Sequence, residues 1–292
     1  MREYIILTDS TTDLPPEMVA QLGLDIIPME FSLGEKTYLN YPDGRELGFH
    51  EFYEQVRAGA MPHTAQINMN TYMERIEPHL QEGKDVLVLA FSSALSGTYQ
   101  SARMAAEELN SKYTDGRVIA VDSRAASMGE GLLAYHAAMR KQAGLSITEL
   151  AKWVEDNRDH LCHWFTVDDL NHLKRGGRVS SAAALFGTLL GIKPVLHVDK
   201  EGRLIPMSKV RGRRQSLDAM ASKMEETFDR TAPQTVFISH GDAPADAEYL
   251  ADQVKKRMGA WIERVVINYI GPVIGAHSGP GTVALFFLGS PK

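Results

Sequence analysis

One cysteine in 292 residues, Cys162, leaves no internal disulfide and no thiolate cluster for a metal. No apolar run approaches the ~20 residues of a membrane span. The opening residues, from Met1 to Asp9, turn acidic too early for a signal peptide and read as a strand. A cytoplasmic location is expected. Neither G-x-x-x-x-G-K-S/T nor G-x-S-x-G occurs, so a phosphate loop and a hydrolase nucleophile elbow both lack their signature. H-E-x-x-H is also missing. In a strand, His160 and His163 point to opposite faces and cannot chelate together. No metal and no cofactor are expected. Net charge is −6, which argues against bulk binding of nucleic acid. Internal repeats, low-complexity segments and long linkers are absent too.

What is present is a soluble composition, 44% hydrophobic and 23% charged. Short apolar runs at 4–8, 26–31, 86–91 and 117–121 alternate with helix-like segments at 15–22, 48–58, 69–80, 97–110, 124–142 and 147–157. Continuous apolar strands between amphipathic helices predict a mostly parallel α/β sheet covered on both faces. After about residue 160 the texture changes. Strands are predicted at 162–167, 195–198, 203–210, 235–239, 262–268 and 283–288, with helices near 178–190, 211–228 and 244–257. "VLHVDKEGRLIPMSKV" reads as a hairpin turning at Asp199 to Gly202. The fold class is therefore α/β with two domains. Residues 1–160 are expected to form a parallel α/β domain and 161–292 an α+β domain, with the last strand a candidate member of the first sheet.

The stretch "LAFSSALSGTYQSAR" carries the first chemical signal. A buried strand ends in Ser92 and Ser93, and Ser96, Gly97 and Thr98 stand where a helix begins. Unpaired N–H groups at a helix start attract anions. A helix cap accounts for Ser96 alone, but not for two more hydroxyls. The anion expected is a carboxylate, or a phosphate held weakly. "TDSTTDLPPE" predicts Asp13 as an N-cap, with Ser10 at the edge where α/β ligands bind. "PHTAQIN" places Thr64 in a loop at the same edge. "IGPVIGAHSGPGTVALFF" sets His277 among glycines, just past a short helix starting near Gly271, where a cationic imidazole is favoured. It is expected to orient a serine hydroxyl or a water. With Ser93 it also allows a stand-alone serine hydrolase. "LKRGGRVS" and "KVRGRRQSL" concentrate Arg175, Arg178, Arg211, Arg213 and Arg214 in an acidic chain. Neither stretch has aromatic residues for base stacking, so nucleic acid is not the expected partner.

Together, "TDSTTDLP", "SSALSGTYQSA", "DSRAASMGEGLL", "LKRGGRVSSAAALFGTLLGIKPVL" and "IGPVIGAHSGPGTVALFF" resemble the DegV family, the fatty-acid-binding proteins that serve bacterial fatty acid kinase. Their order and spacing cover residues 8 to 287. The family's threonine–serine–glutamine loop reads Thr64-Ala65-Gln66 here, with alanine in place of serine. The resemblance implies a long-chain fatty acid buried between the domains. Its carboxylate would meet Thr64, Ser92 and Ser93, with His277 nearby; Ser10 and Gly97 join the candidate ligand residues from their own places at a strand end and a helix start. It implies a carrier that is not catalytic alone. The carrier presents the acid to the fatty acid kinase catalytic subunit, which makes an acyl phosphate for phospholipid synthesis. The five arginines would then dock that kinase, or touch an anionic membrane transiently. Burying roughly 15 methylenes at about 0.8 kcal/mol each gives on the order of 12 kcal/mol before ordering costs. Residues 178–192, small and apolar, suit the lining of an acyl tunnel.

Overall fold

The computed structural model describes residues 2–180 and 191–291. Residues 181–190 of the predicted helix at 178–190, and most of the predicted tunnel lining, lie outside the described residues; 178–180 are described and are not helical. The first apolar runs do form a parallel sheet. Strands β1 (Tyr4–Asp9), β2 (Leu24–Ile27), β6 (Asp85–Ala90) and β7 (Val118–Asp122) pair in the order β2-β1-β6-β7. Both faces are buried, with alternate residues serving opposite cores. Ile6, Leu87 and Leu89 point one way; Leu7, Val86 and Val88 point the other.

The run at 26–31 is not one strand. Pro28, which has no N–H to donate, separates β2 from β3 (Met29–Leu33). β3 leaves the parallel sheet and joins β4 (Lys36–Asn40) and β5 (His63–Thr64) in a small antiparallel sheet. Helices α1 (Pro16–Leu22), α2 (Phe49–Arg57), α3 (Met69–Gln81), α4 (Thr98–Lys112), α5 (Met128–Gln142) and α6 (Ile147–Asn157) complete this half.

The second half begins at β8 (Leu161–Thr166), followed by α7 (Asn171–Arg175), β9 (Ile192–Val198) and β10 (Leu204–Arg211). Then come α8 (Arg213–Thr227), β11 (Gln234–His240), α9 (Pro244–Met258), β12 (Ile262–Tyr269), α10 (Pro272–Ser278) and β13 (Val283–Leu288). The strands form a six-stranded mixed sheet, β10-β9-β8-β13-β11-β12, in which only β11 and β12 are parallel. β13 sits between β8 and β11, so the last strand belongs to this sheet and not to the first.

The two sheets share one helical layer. α3 and α4 cover the outer face of the parallel sheet, and α5 and α6 its inner face. α5 also packs on β8, β11 and β13 of the second sheet. Its small buried residues Gly129, Gly131, Ala134, Ala137 and Ala138 allow both sheets close approach. α8 and α9 close the far side. The predicted helix start at 124 is shifted to Met128, because Asp122 accepts from the Arg124 amide and holds that loop open.

Asp13 does not cap α1, despite the favourable local pattern. The cap is Pro15, with no side-chain bond. The Asp13 carboxyl turns inward and accepts from the Ser127 hydroxyl and the Gly271 N–H, while Asn268 Nδ2 donates to its carbonyl at 2.8 Å. Ser127 also meets the Ser239 hydroxyl at 2.9 Å. Glu130 lies nearby, accepting from Thr8 at 3.2 Å and Thr11 at 2.9 Å. This buried polar knot stitches the loop after β1 to α5 and to the second sheet.

Candidate functional site

α10 brings His277 against β5, where Thr64 Oγ1 and His277 Nε2 lie 2.9 Å apart. Gly176 lets the backbone after α7 pack on the imidazole: a Cβ there would stand 2.4 Å from Nδ1. Arg178 follows, half-buried, its Nε donating to Leu95 O at 3.1 Å and its Nη1 to Gly176 O. Burial pulls its guanidinium below the usual arginine value, but it stays cationic at neutral pH. Burial, then Arg178, then His63 push His277 down to about 4. The imidazole at this helix end is therefore neutral, contrary to the cationic form expected from the helix dipole alone. Desolvation and two neighbouring basic groups outweigh the dipole.

These residues frame a polar mouth. Ser96, Gly97 and Gln66 complete it, at the start of α4. Gly97 is the helix N-cap residue, and a Cβ on it would meet Gln66 Oε1 at 2.2 Å. Phe91, Ile274, His277 and Arg178 are shared between this mouth and a second, apolar chamber below it. The chamber lies between the domains, with Phe91 and Leu95 on one wall and Phe165, Ala284 and Phe286 on the other. Chamber and opening together hold about 590 Å3 not filled by atoms, open solvent at the mouth included. A second opening, beside Thr64, His277 and Arg178, is flanked by His172 and Arg175.

The remaining predicted residues go elsewhere. Ser92 is buried and donates to Gly202 O in the β9–β10 hairpin at 3.0 Å. Ser93 is exposed and donates to Asp122 Oδ2 at 2.6 Å, its N–H reaching Oδ1 at 3.1 Å. Ser10 accepts from the Met29 N–H at 3.0 Å and is part of the frame. A turn closed by Ser96 N–H on Ser92 O reverses the chain, so the third serine of the motif, not the first two, faces the mouth. Ser93 and His277 share no hydrogen bond among the described residues, so the geometry of a Ser–His pair is not formed.

The arginines also separate. Arg178 belongs to the mouth. Arg213 is largely buried, held by Asp246 at 2.8 Å and donating to Gly281 O, which makes it an internal tie. Arg175, Arg211 and Arg214 are exposed; Arg175 touches His172 Nδ1 at 3.0 Å and Arg214 lies over the Tyr249 ring at 4.0 Å. All three stand at the edge of the second sheet from which α7 and α10 emerge. No helix among the described residues is long and apolar enough to cross a membrane.

The DegV family profile matches residues 4–290. A DegV domain-containing protein of Clostridium perfringens is 45% identical over 292 residues, covering 100% of this chain and 99% of that relative. A DegV family protein from Thermus thermophilus, solved for its fatty acid binding, is 32% identical with a TM-score of 0.86, covering 99% of this chain and all of that one. Thermotoga maritima TM841, whose structure is described as revealing fatty acid binding function, is 30% identical with a TM-score of 0.85, over 99% of this chain and 100% of that one. Matched along nearly its whole length in sequence and in fold, the chain belongs to the DegV family.

Proposed function

We propose that this protein binds a long-chain fatty acid between its domains and presents the carboxylate to a fatty acid kinase catalytic subunit. The observation that carries the reading is the continuity of a small polar mouth with an apolar chamber, the outline of an amphiphile. Thr64 and Ser96 offer hydroxyl donors, the Gly97–Thr98 helix start offers backbone N–H groups, and Arg178 offers positive charge above the chamber. The tail lies among Phe91, Leu95, Phe165 and Phe286. The named fatty acid binding of the Thermus and Thermotoga relatives supports the same ligand.

The protein acts as a carrier and does no chemistry alone. Hydroxyls hold the acid without enclosing it, so a carboxylate oxygen at the open mouth is left to attack the γ-phosphorus of ATP on the kinase, with ADP as the leaving group. The acyl phosphate then feeds phospholipid synthesis in the cytoplasm, where ATP is available. Arg175, Arg211 and Arg214 form the docking edge for that kinase, and for brief contact with anionic membrane during exchange. Solvent extraction and gas chromatography of the purified protein test the first half. One equivalent of fatty acid is expected. A purified protein that holds none, and takes up none when offered it, contradicts the reading.

A further inference from the structure

We infer that His163, wedged against Gly129 of α5, sets how deep the acyl tail reaches. The inference rests on the fatty acid reading above. Register across the second sheet lines up one row of side chains. Leu204 of β10 stands opposite Val198 of β9, and His163 of β8 opposite Phe286 of β13. Val198 of β9 and His163 of β8 each lie one residue beyond the Trp164–His197 pair that ends the β8–β9 ladder. All four line the chamber.

This row is the far wall as seen from the mouth. β8 runs toward α7 and Arg178, and β13 starts beside α10, so Thr166 and Val283 mark the mouth end. The Phe165–Ala284 pair comes next, and the His163–Phe286 row lies two residues further, about 7 Å deeper. Leu161, the next residue on that face, is fully buried in the core.

Three members of the row are ordinary apolar side chains. The fourth is an imidazole, 1% exposed and edge-on to the Phe286 ring at 5.3 Å. Behind it stands helix backbone. A Cβ added to Gly129 would lie 2.3 Å from His163 Cε1 and 2.5 Å from Nε2, far inside contact distance. The glycine thus makes the recess into which the imidazole withdraws. With any side chain at 129, the ring must advance into the chamber it lines.

The test offers the protein, stripped of lipid, an equimolar mixture of saturated acids from lauric to stearic, and profiles what it retains by gas chromatography. Gly129→Ala is expected to shift the retained acids shorter. His163→Ala is expected to shift them longer, by about two carbons, because removing the ring leaves a cavity at the wall. In the double variant the alanine at 129 has no ring to push, so its shortening effect disappears. A parent-like profile in both single variants, with acid still bound, overturns the inference while leaving fatty acid binding intact. So does shortening by Gly129→Ala that persists without His163. A parent that retains no acid sinks the binding reading and this one with it. Should Gly129→Ala fail to fold, the lengthening in His163→Ala decides alone.

Discussion

In the proposed fatty acid complex, three side chains at the mouth divide the work of holding the carboxylate, and they differ in what their loss removes. Thr64 and Ser96 supply neutral donors; Arg178 supplies charge from a guanidinium already anchored on Leu95 and Gly176. Thr64→Val or Ser96→Ala is expected to weaken binding by about 1–3 kcal/mol, roughly 5- to 150-fold, as a buried anion loses one donor. Ser93→Ala, whose hydroxyl serves Asp122, is expected to change affinity less than about twofold. Displacement of a fluorescent fatty acid measures all three; equal losses at Ser93 and Ser96 would contradict the assignment. The motif "SSALSGTY" pointed to this loop, but not to which of its serines lines the mouth. That choice depends on the turn from Ser92 to Ser96, which no spacing rule announces. Arg178 was hidden for a similar reason: in sequence it is one more arginine in a basic run, and only the packing of Gly176 on His277 carries it inward.

Elements buried on both faces announced themselves, because β1, β6 and β7 are unbroken apolar runs with glycine or polar residues at their ends. β4 and β5 did not, being short and partly exposed. β5 matters most, since its two residues set Thr64 against His277. Asp13 was misread because "DLPPE" satisfies a helix cap locally while its partners, Ser127 and Gly271, are remote in sequence. The true role has a consequence for pH. Burial first, opposed by bonds from Ser127 and Gly271, pushes Asp13 up to about 8 from an ordinary carboxyl near 4. A raised folded value means that the folded state binds the extra proton. The stabilisation is complete below the unfolded value and is lost as pH rises through the folded one. Between about pH 4 and 8 stability should therefore fall, by up to about 1.4 kcal/mol per pH unit from this group, and the fall should level off above 8. Asp13→Asn is expected to flatten that slope in urea titrations. An unchanged slope would show that Asp13 is not the group responsible.

Across the whole molecule, a chain of net charge −6 keeps exposed arginine at the sheet end that bears α7 and α10, with Arg175 lining the second opening. Arg175→Glu with Arg211→Glu is expected to lower kinase-dependent acyl phosphate formation at least about tenfold at low salt, with preloaded acid still bound. The difference should shrink toward physiological ionic strength, where the screening length is about 8 Å. Parent-like turnover by the reversed protein at low salt would remove the docking role. Arg213 is unsuited to this test, because its ties to Asp246 and Gly281 make its loss a stability defect. The five-layer arrangement, with α5 shared between two sheets, was not legible in the sequence. The apolar pattern shows that a helix is buried, but not that two different sheets bury it. The chamber opens just before this shared layer begins, beside Ala126 and Ser127 at the start of α5. The most direct measurement of the central claim is a crystal structure with palmitate bound. A carboxylate within about 3 Å of Thr64 and Ser96 is expected, with the tail running between Phe91 and Phe165 toward His163. A carboxylate seated on Ser93, or a tail lying outside the chamber, would contradict it.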